Sequence, residues 1–304
     1  MMVESIRELR RKVQEPVMRY NDIAGILFGN RVSIHITRLF VAAGLGPTVA
    51  SMLMLASGLV GSVLLVFGDR AAVVGFALMI VYYVFDCVDG EVARYHRGEK
   101  IIWSFHDYMF HLYVKSAFYL CLGIGLYRST GHVWLLAFAW IALLASLFRK
   151  AMGDLAGVLP VRLILARQGD EVTGRLERQV LEGLDPGGKE TAEEPEGREG
   201  RDEARIASYG GPLGILREVA TNFDLFMFAF LGAAVADLFV APFELLGGPW
   251  NLKATLLVFV ALTLVFDFLD RLWHTIRAGR FLEEARSFLV AAHRYRIRKG
   301  GPNG

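Results

Sequence analysis

The sequence predicts an all-α membrane protein of six transmembrane helices, with amphipathic interfacial helices at its N- and C-terminal ends. Three observations carry that prediction. Of 304 residues, 54% are hydrophobic and 21% charged, with a formal charge of +2 and a mean hydropathy of +0.40; soluble domains carry about one quarter charged residues. Long apolar stretches alternate with short, densely charged ones. The apolar stretches also approach the length a helix needs to cross a hydrocarbon core, about 20 residues. A disordered chain, a water-soluble globule and a nucleic-acid binder driven by bulk positive charge are excluded on these grounds. Cys87 and Cys121 both fall in apolar stretches, so no disulfide framework is expected.

The elements follow in chain order. Residues 1–46 form a cytoplasmic, interfacial segment. Within it, 1–19 carries Arg7, Arg10, Arg11 and Lys12 without the compact apolar core of a signal peptide. Ile6, Leu9 and Val13 recur there at helical spacing, which predicts a helix lying on the membrane surface. A six-helix domain over 47–275 comes next, with spans at 47–67, 71–89, 107–127, 133–147, 223–240 and 254–270. The fourth is short and extends toward Leu159. Ala, Gly, Leu and Val dominate these spans, as close helix packing in lipid favours. Strands are excluded, because the runs are long and show no period of two. A cytoplasmic loop of about 165–212 separates the fourth and fifth spans. Its 181–205 stretch is so rich in Gly, Glu and Arg that it cannot bury enough apolar area to offset its ordering entropy. The tail over 276–304 is basic and amphipathic, with Phe281, Leu282, Phe288 and Leu289 among its arginines, and is expected on the inner leaflet.

Basic residues set the orientation. If the first span runs outward, 29 of the 33 Lys and Arg lie on the N-terminal side. Arg70, Arg128 and Lys253 lie opposite, and Lys115 falls inside the third span. Long loops count for little in this rule, yet without the loop after the fourth span the balance is still 18 against 3. Both termini are therefore expected in the cytoplasm.

Carboxylates inside membrane spans are costly and mark function by default. The second span ends VYYVFDCVDGEVARYHRG and the third begins WSFHDYMFHLYVK. Asp86 and Asp89 lie three apart, on one helix face, and Asp107 and His111 lie four apart, also on one face. Both pairs belong to the cytoplasmic ends of neighbouring antiparallel spans. Gly90 leaves room for a close approach, and Arg94 supplies a planar cationic fork. Carboxylates meeting at such a depth call for cations; hard oxygen ligands suit Mg²⁺ or Mn²⁺, and one imidazole moves the balance toward Mn²⁺ or softer ions. For any one of these residues alone, solvation at a helix end is the simpler explanation; the joint spacing is what argues against it.

These residues resemble the CDP-alcohol phosphotransferases, whose signature is D-x2-D-G-x2-A-R-x8-G-x3-D-x3-D. Here it reads Asp86-x2-Asp89-Gly90-x2-Ala93-Arg94-x8-Trp103-x3-Asp107-x3-His111, six of eight positions at the right spacing. The resemblance covers residues 30–155 well and the rest by architecture. It implies an enzyme of phospholipid or related lipid synthesis. Such enzymes use two divalent ions, Mg²⁺ or Mn²⁺, to transfer a phospho-alcohol from a CDP-linked alcohol to a hydroxyl acceptor with release of CMP. It implies Asp86, Asp89 and Asp107 as metal ligands and Gly90, Ala93 and Arg94 as the nucleotide-facing wall. His111 stands in for the fourth acid, as ligand and general base. Trp103 replaces a glycine, either lining an acceptor pocket or sitting at the interface. Besides the two substrates, membrane lipids are expected partners, and a homodimer is left open because the family often dimerises. Two other functions compete: an inactive relative kept as a binding protein, motivated by Trp103 and His111, and a cation or solute transporter.

Weaker expectations attach elsewhere. Lys115, one turn beyond His111, is a candidate for an anionic acceptor, with snorkelling or pairing to an aspartate as equal alternatives. Arg149 and Lys150 are candidates for a phosphate, against ordinary inside-positive anchoring. Asp267 and Asp270 are expected in ion pairs with Arg271 or Arg277 or in solvent, and Asn222 and Asp224 as caps of the fifth span.

Overall fold

The structure is a computed structural model that describes residues 4–20, 24–96, 101–166, 219–245 and 248–277. The loop from residue 167 and the tail beyond Arg277 lie outside the described residues, so the expectations for 181–205 and for the C-terminal helix are not addressed by it. The described chain is mostly helical: α1 (Ile6–Val13), α2 (Asn30–Ala42), α3 (Pro47–Leu64), α4 (Asp69–Tyr95), α5 (Ile101–Thr130), α6 (Trp134–Ala166), α7 (Phe223–Ala236) and α8 (Leu252–Arg277). The chain divides into two compact units, one of Met1–Leu144 with Gly197–Val265 and one of Ala145–Glu196 with Phe266–Gly304.

Five helices are long and apolar enough to cross a membrane, at Pro47–Phe67, Asp69–Tyr95, His106–Thr130, Trp134–Met152 and Leu252–Trp273. Their outward residues are apolar too: Val60, Val63, Trp140, Leu262, Phe266 and Trp273 are each about half exposed or more. Lipid accommodates such a surface and water does not. The chain is a multi-pass integral membrane protein, mostly helical over the described residues. The expected fifth span stops short: α7 has 14 residues and ends at Ala236, not Val240. There the chain turns, because the Asp237 carboxylate accepts the Leu252 and Lys253 backbone N–H groups, at 2.8 and 3.2 Å, and so starts α8. Asn222 caps α7 as expected, its side chain accepting from Asp224 and Leu225 N–H.

One element departs from the all-helical expectation. Phe243–Leu245 pairs antiparallel with Gly248–Trp250, Phe243 opposite Trp250 and Glu244 opposite Pro249. Trp250 closes the hairpin against the bundle by stacking on Trp134 at 4.9 Å between ring centroids. Beside it, the buried Lys253 ammonium donates to Asp237 at 2.6 Å and Asp69 at 3.0 Å, so one of the few basic residues of this end is held by two carboxylates.

The first unit is held by glycine contacts and aromatic rings. A Cβ on Gly61 would lie 2.8 Å from the Gly75 carbonyl oxygen, and one on Gly75 would lie 2.6 Å from that of Gly61, so α3 and α4 touch backbone to backbone. Gly58 of α3 wedges between Tyr82 of α4 and Val114 of α5. Phe76 stacks on Phe230 at 5.4 Å, and Phe118 of α5 meets Phe223, Phe226 and Phe230 of α7.

The N-terminal helix is amphipathic as expected, but its apolar face is turned onto protein. Leu9 and Val13 are buried with Ile34, and Ile6 and Tyr95 pack against them. Ser5 and Glu8 close a capping box at its start. Just past its end, the buried Gln14 amide donates 2.7 Å bonds to the Asn30 carbonyl and to Glu91. Glu91 is 1% exposed; its carboxyl also accepts from the Ser33 hydroxyl at 2.5 Å and the Thr37 hydroxyl at 2.6 Å. Three neutral donors from two other elements thus converge on one carboxyl. Glu91→Ala, which strands those donors, should lower stability by about 1–2 kcal/mol, whereas Glu91→Gln should lose much less. Thermal unfolding of the two variants in detergent tests this, and an unperturbed Glu91→Ala would contradict it.

Candidate functional site

The site lies where the C-terminal end of α4 faces the N-terminal part of α5, with α3 against both. On α4, Tyr82, Asp86 and Asp89 follow at intervals of four and three, hence one face. On α5, Asp107, His111 and Lys115 do the same at intervals of four. Neither run contains a proline or a helix break, so each carboxyl or imidazole is aimed by a rigid element.

His111 joins the two helices. Its Nε2 lies 3.0 Å from Asp86 Oδ1 and 3.4 Å from Asp107 Oδ1. Its Nδ1 is hydrogen-bonded to the Tyr82 hydroxyl. Tyr82 is fully buried, with its ring edge-on to His111 and to Phe223. One ligand atom each from Asp86, Asp107 and His111 fit within 4.8 Å of one another. A nitrogen 3.0 and 3.4 Å from two carboxylate oxygens matches the spacing of neighbouring ligands on an ion bound at about 2.1 Å. The donor set therefore fits a divalent metal. The three side chains keep some access, at 26%, 41% and 20% exposure for Asp86, Asp107 and His111, so an ion with a substrate group can reach them.

The remaining expected residues are placed less uniformly. Asp89 is buried and stands outside this three-residue set; its Oδ2 accepts from the Ser51 hydroxyl of α3 at 2.9 Å. Gly90 is occupied by its own helix: a Cβ there would lie 3.1 Å from Arg94 Nη1. Arg94 in turn donates from Nε to the Val13 carbonyl at 2.6 Å, so its fork lies over Gly90 while tethered to the end of α1. Ala93 is half-buried. Trp103 lies within α5, and its side chain is outside the described residues. Lys115 Nζ sits 5.2 Å from the centroid of the Phe223 ring, a cation–π distance.

Arg149 belongs to the second unit. There it meets Asp267 at 3.4 Å, and Arg271 meets the same carboxylate at 2.8 Å. Asp267 is 1% exposed, so two guanidinium groups compensate a buried charge, and the expected pairing with Arg271 is present.

Three residues of this region were not singled out from the sequence: Tyr82, Ser51 and Glu91. Tyr82 had a signal, since it precedes Asp86 by one turn. Ser51 had none, being 38 residues from the carboxylate it meets. Compared with models of known protein families and with curated proteins, the chain matches none.

Proposed function

We propose that the protein is a metal-dependent CDP-alcohol phosphotransferase, passing a phospho-alcohol group from a CDP-linked alcohol to a hydroxyl acceptor and releasing CMP. The observation that carries this reading is the meeting of Asp86, Asp107 and His111 side chains at the positions where the signature-like run places its acids. Mg²⁺ or Mn²⁺ is the ion such a set suits. When bound, the ion neutralises charge on the diphosphate oxygens and on departing CMP.

The chain's own residues do the rest. Asp86 and Asp107 hold the ion from two helices, and His111 Nε2 completes that face. A nitrogen within contact of both carboxylates serves better as a ligand than as the general base, because ligation would occupy its lone pair. Asp89, bonded to Ser51, is the neighbouring carboxyl available to a second ion. Arg94, with Nε held by Val13 O, carries a planar guanidinium of the kind that suits a phosphate. Lys115 supplies positive charge one turn along α5, toward the aromatic floor made by Phe223. By the distribution of basic residues we place this end of the bundle on the cytoplasmic face, where CDP-linked donors would be met.

The test is release of CMP by the purified full-length protein with Mg²⁺ or Mn²⁺, over a panel of CDP-alcohols and hydroxyl acceptors. His111→Asp should retain measurable turnover, since a carboxylate can take the same ligand position. A dead His111→Asp beside an active wild type would assign the imidazole a role no carboxylate fills. Binding of CDP-alcohols without CMP release across the panel would make the chain a binding protein instead, and ion flux into proteoliposomes without CMP release would make it a transporter.

A further inference from the structure

We propose that Tyr82 is a positioning residue that turns His111 Nε2 onto Asp86 and Asp107, giving this ion position a nitrogen–oxygen–oxygen face that prefers Mn²⁺ to Mg²⁺. The inference rests on the reading of the cluster as a metal site, and it adds which ion the site selects and why. An imidazole on a helix can rotate about two side-chain bonds and present either nitrogen. Here the choice is fixed. Nδ1 is engaged by the Tyr82 hydroxyl, Nε2 is left 3.0 Å and 3.4 Å from the two carboxylates, and the tyrosine itself is immobilised, fully buried and edge-on to Phe223.

A ligating histidine ordinarily donates its other ring N–H to an acceptor that sets ring orientation and tautomer. The Tyr82 oxygen stands where that acceptor is needed, on the same helix as Asp86 and one turn before it. Gly58 of α3 secures the arrangement: a Cβ there would fall 2.9 Å from Tyr82 Cδ2, so a larger residue would push against the ring. Mg²⁺ is held by oxygen ligands and gains little from an imidazole, while Mn²⁺ and the later divalent ions accept nitrogen readily. A site of two carboxylates and one imidazole therefore discriminates where an all-carboxylate site would not.

The experiment titrates the full-length protein in detergent with Mn²⁺ and with Mg²⁺, and records the electron spin-echo modulation of bound Mn²⁺. The wild type should bind Mn²⁺ more tightly and show ¹⁴N modulation from a directly bound nitrogen. Tyr82→Phe keeps the buried ring and removes only the hydroxyl; it should weaken Mn²⁺ binding about 10–100-fold and narrow the Mn²⁺ over Mg²⁺ ratio accordingly. His111→Asp should lose both the preference and the ¹⁴N signal. Without any variant, ¹⁵N spectra of the histidine-labelled wild type loaded with diamagnetic Zn²⁺ should show His111 protonated at Nδ1 and metal-bound at Nε2. Equal affinity for the two ions, absence of ¹⁴N modulation, a proton on Nε2, or an unchanged ratio in Tyr82→Phe would each overturn the proposal. CMP release alongside any of these leaves the enzymatic reading standing; no ion binding and no CMP release removes both.

Discussion

Asp86→Asn should reduce CMP formation at least about a hundredfold, because a ligand that helps an ion offset developing phosphate charge is worth several kcal/mol and each 1.36 kcal/mol is a factor of ten in rate. The substitution is nearly isosteric, so it removes charge with little change in packing. Asp86 is the carboxyl by which α4 meets His111, at 3.0 Å, and no other carboxyl of α4 lies in the three-residue set. Stability offers a second reading of the same variant. Ion binding to the folded state raises the melting temperature by mass action, so divalent ions should stabilise the wild type and leave Asp86→Asn unmoved. In the absence of ions Asp86→Asn should melt somewhat lower than the wild type, since its 3.0 Å contact with His111 Nε2 loses its charge, so the readout is the ion-dependent increment of each protein and not its baseline. Loss of turnover with the ion-dependent shift intact would mean that Asp86 acts on substrate rather than on metal. Full turnover would remove it from the site altogether.

What the sequence revealed of this site follows from helix geometry. Asp86 with Asp89, and Asp107 with His111, are spacings that a helix converts directly into shared faces, so the two halves were legible separately and their meeting followed from adjacent spans. Glu91 shows the complementary limit. It lies two residues beyond Asp89, about 200° around a helix of 3.6 residues per turn, and so faces the opposite side, where Gln14, Ser33 and Thr37 receive it. A third acid in the same run therefore anchors the N-terminal helices rather than joining the cluster. Spacing alone could have placed it on the other face but could not have named its partners, which lie 54 to 77 residues away.

The fold was legible to a similar depth. Spans of about 20 apolar residues are set by bilayer thickness, and five of them stand where hydropathy places them. The fifth expected span ends early: apolar composition continues through Leu238, Phe239 and Val240, while their N–H groups close back in turns on Val235 and Ala236. Periodicity of Ile6, Leu9 and Val13 identified a face that needs burial, and it carries no information on whether lipid or Ile34 and Tyr95 provide it. The hairpin at Phe243–Trp250 is three residues a side, too short for any alternation to register.

Gly125→Val should prevent recovery of folded protein, and Gly125→Ala should cost about 3 kcal/mol or more, the upper end of what overpacking costs when side chains and backbone must shift. An ideal Cβ on Gly125 of α5 would stand 2.0 Å from the Leu65 carbonyl oxygen and 3.0 Å from its carbon. Leu65 opens the 3₁₀ turn at the end of α3, so the obstacle is backbone and cannot rotate away. Close approach of this kind, with carbonyl oxygen against Cα–H, is how helices associate where lipid offers no hydrophobic drive. Gly232 of α7 is the control, since a Cβ there meets nothing within 4 Å; Gly232→Ala should be tolerated, with about 1 kcal/mol of helix propensity in its favour. The comparison is read as melting temperature and as the monodisperse fraction in detergent. Its consequence reaches the site, because the same helix α3 carries Gly58 against Tyr82 and Val114 and Ser51 against Asp89. Forcing α3 off α5 at Leu65 would therefore loosen both the ring that orients His111 and the hydroxyl that holds Asp89. A residual folded population of Gly125→Ala should accordingly lose affinity for divalent ions as well as stability, whereas Gly232→Ala should lose neither. Equal melting of Gly125→Ala and wild type would show that α3 and α5 do not approach so closely, and with that the support beneath Tyr82 would have to come from elsewhere.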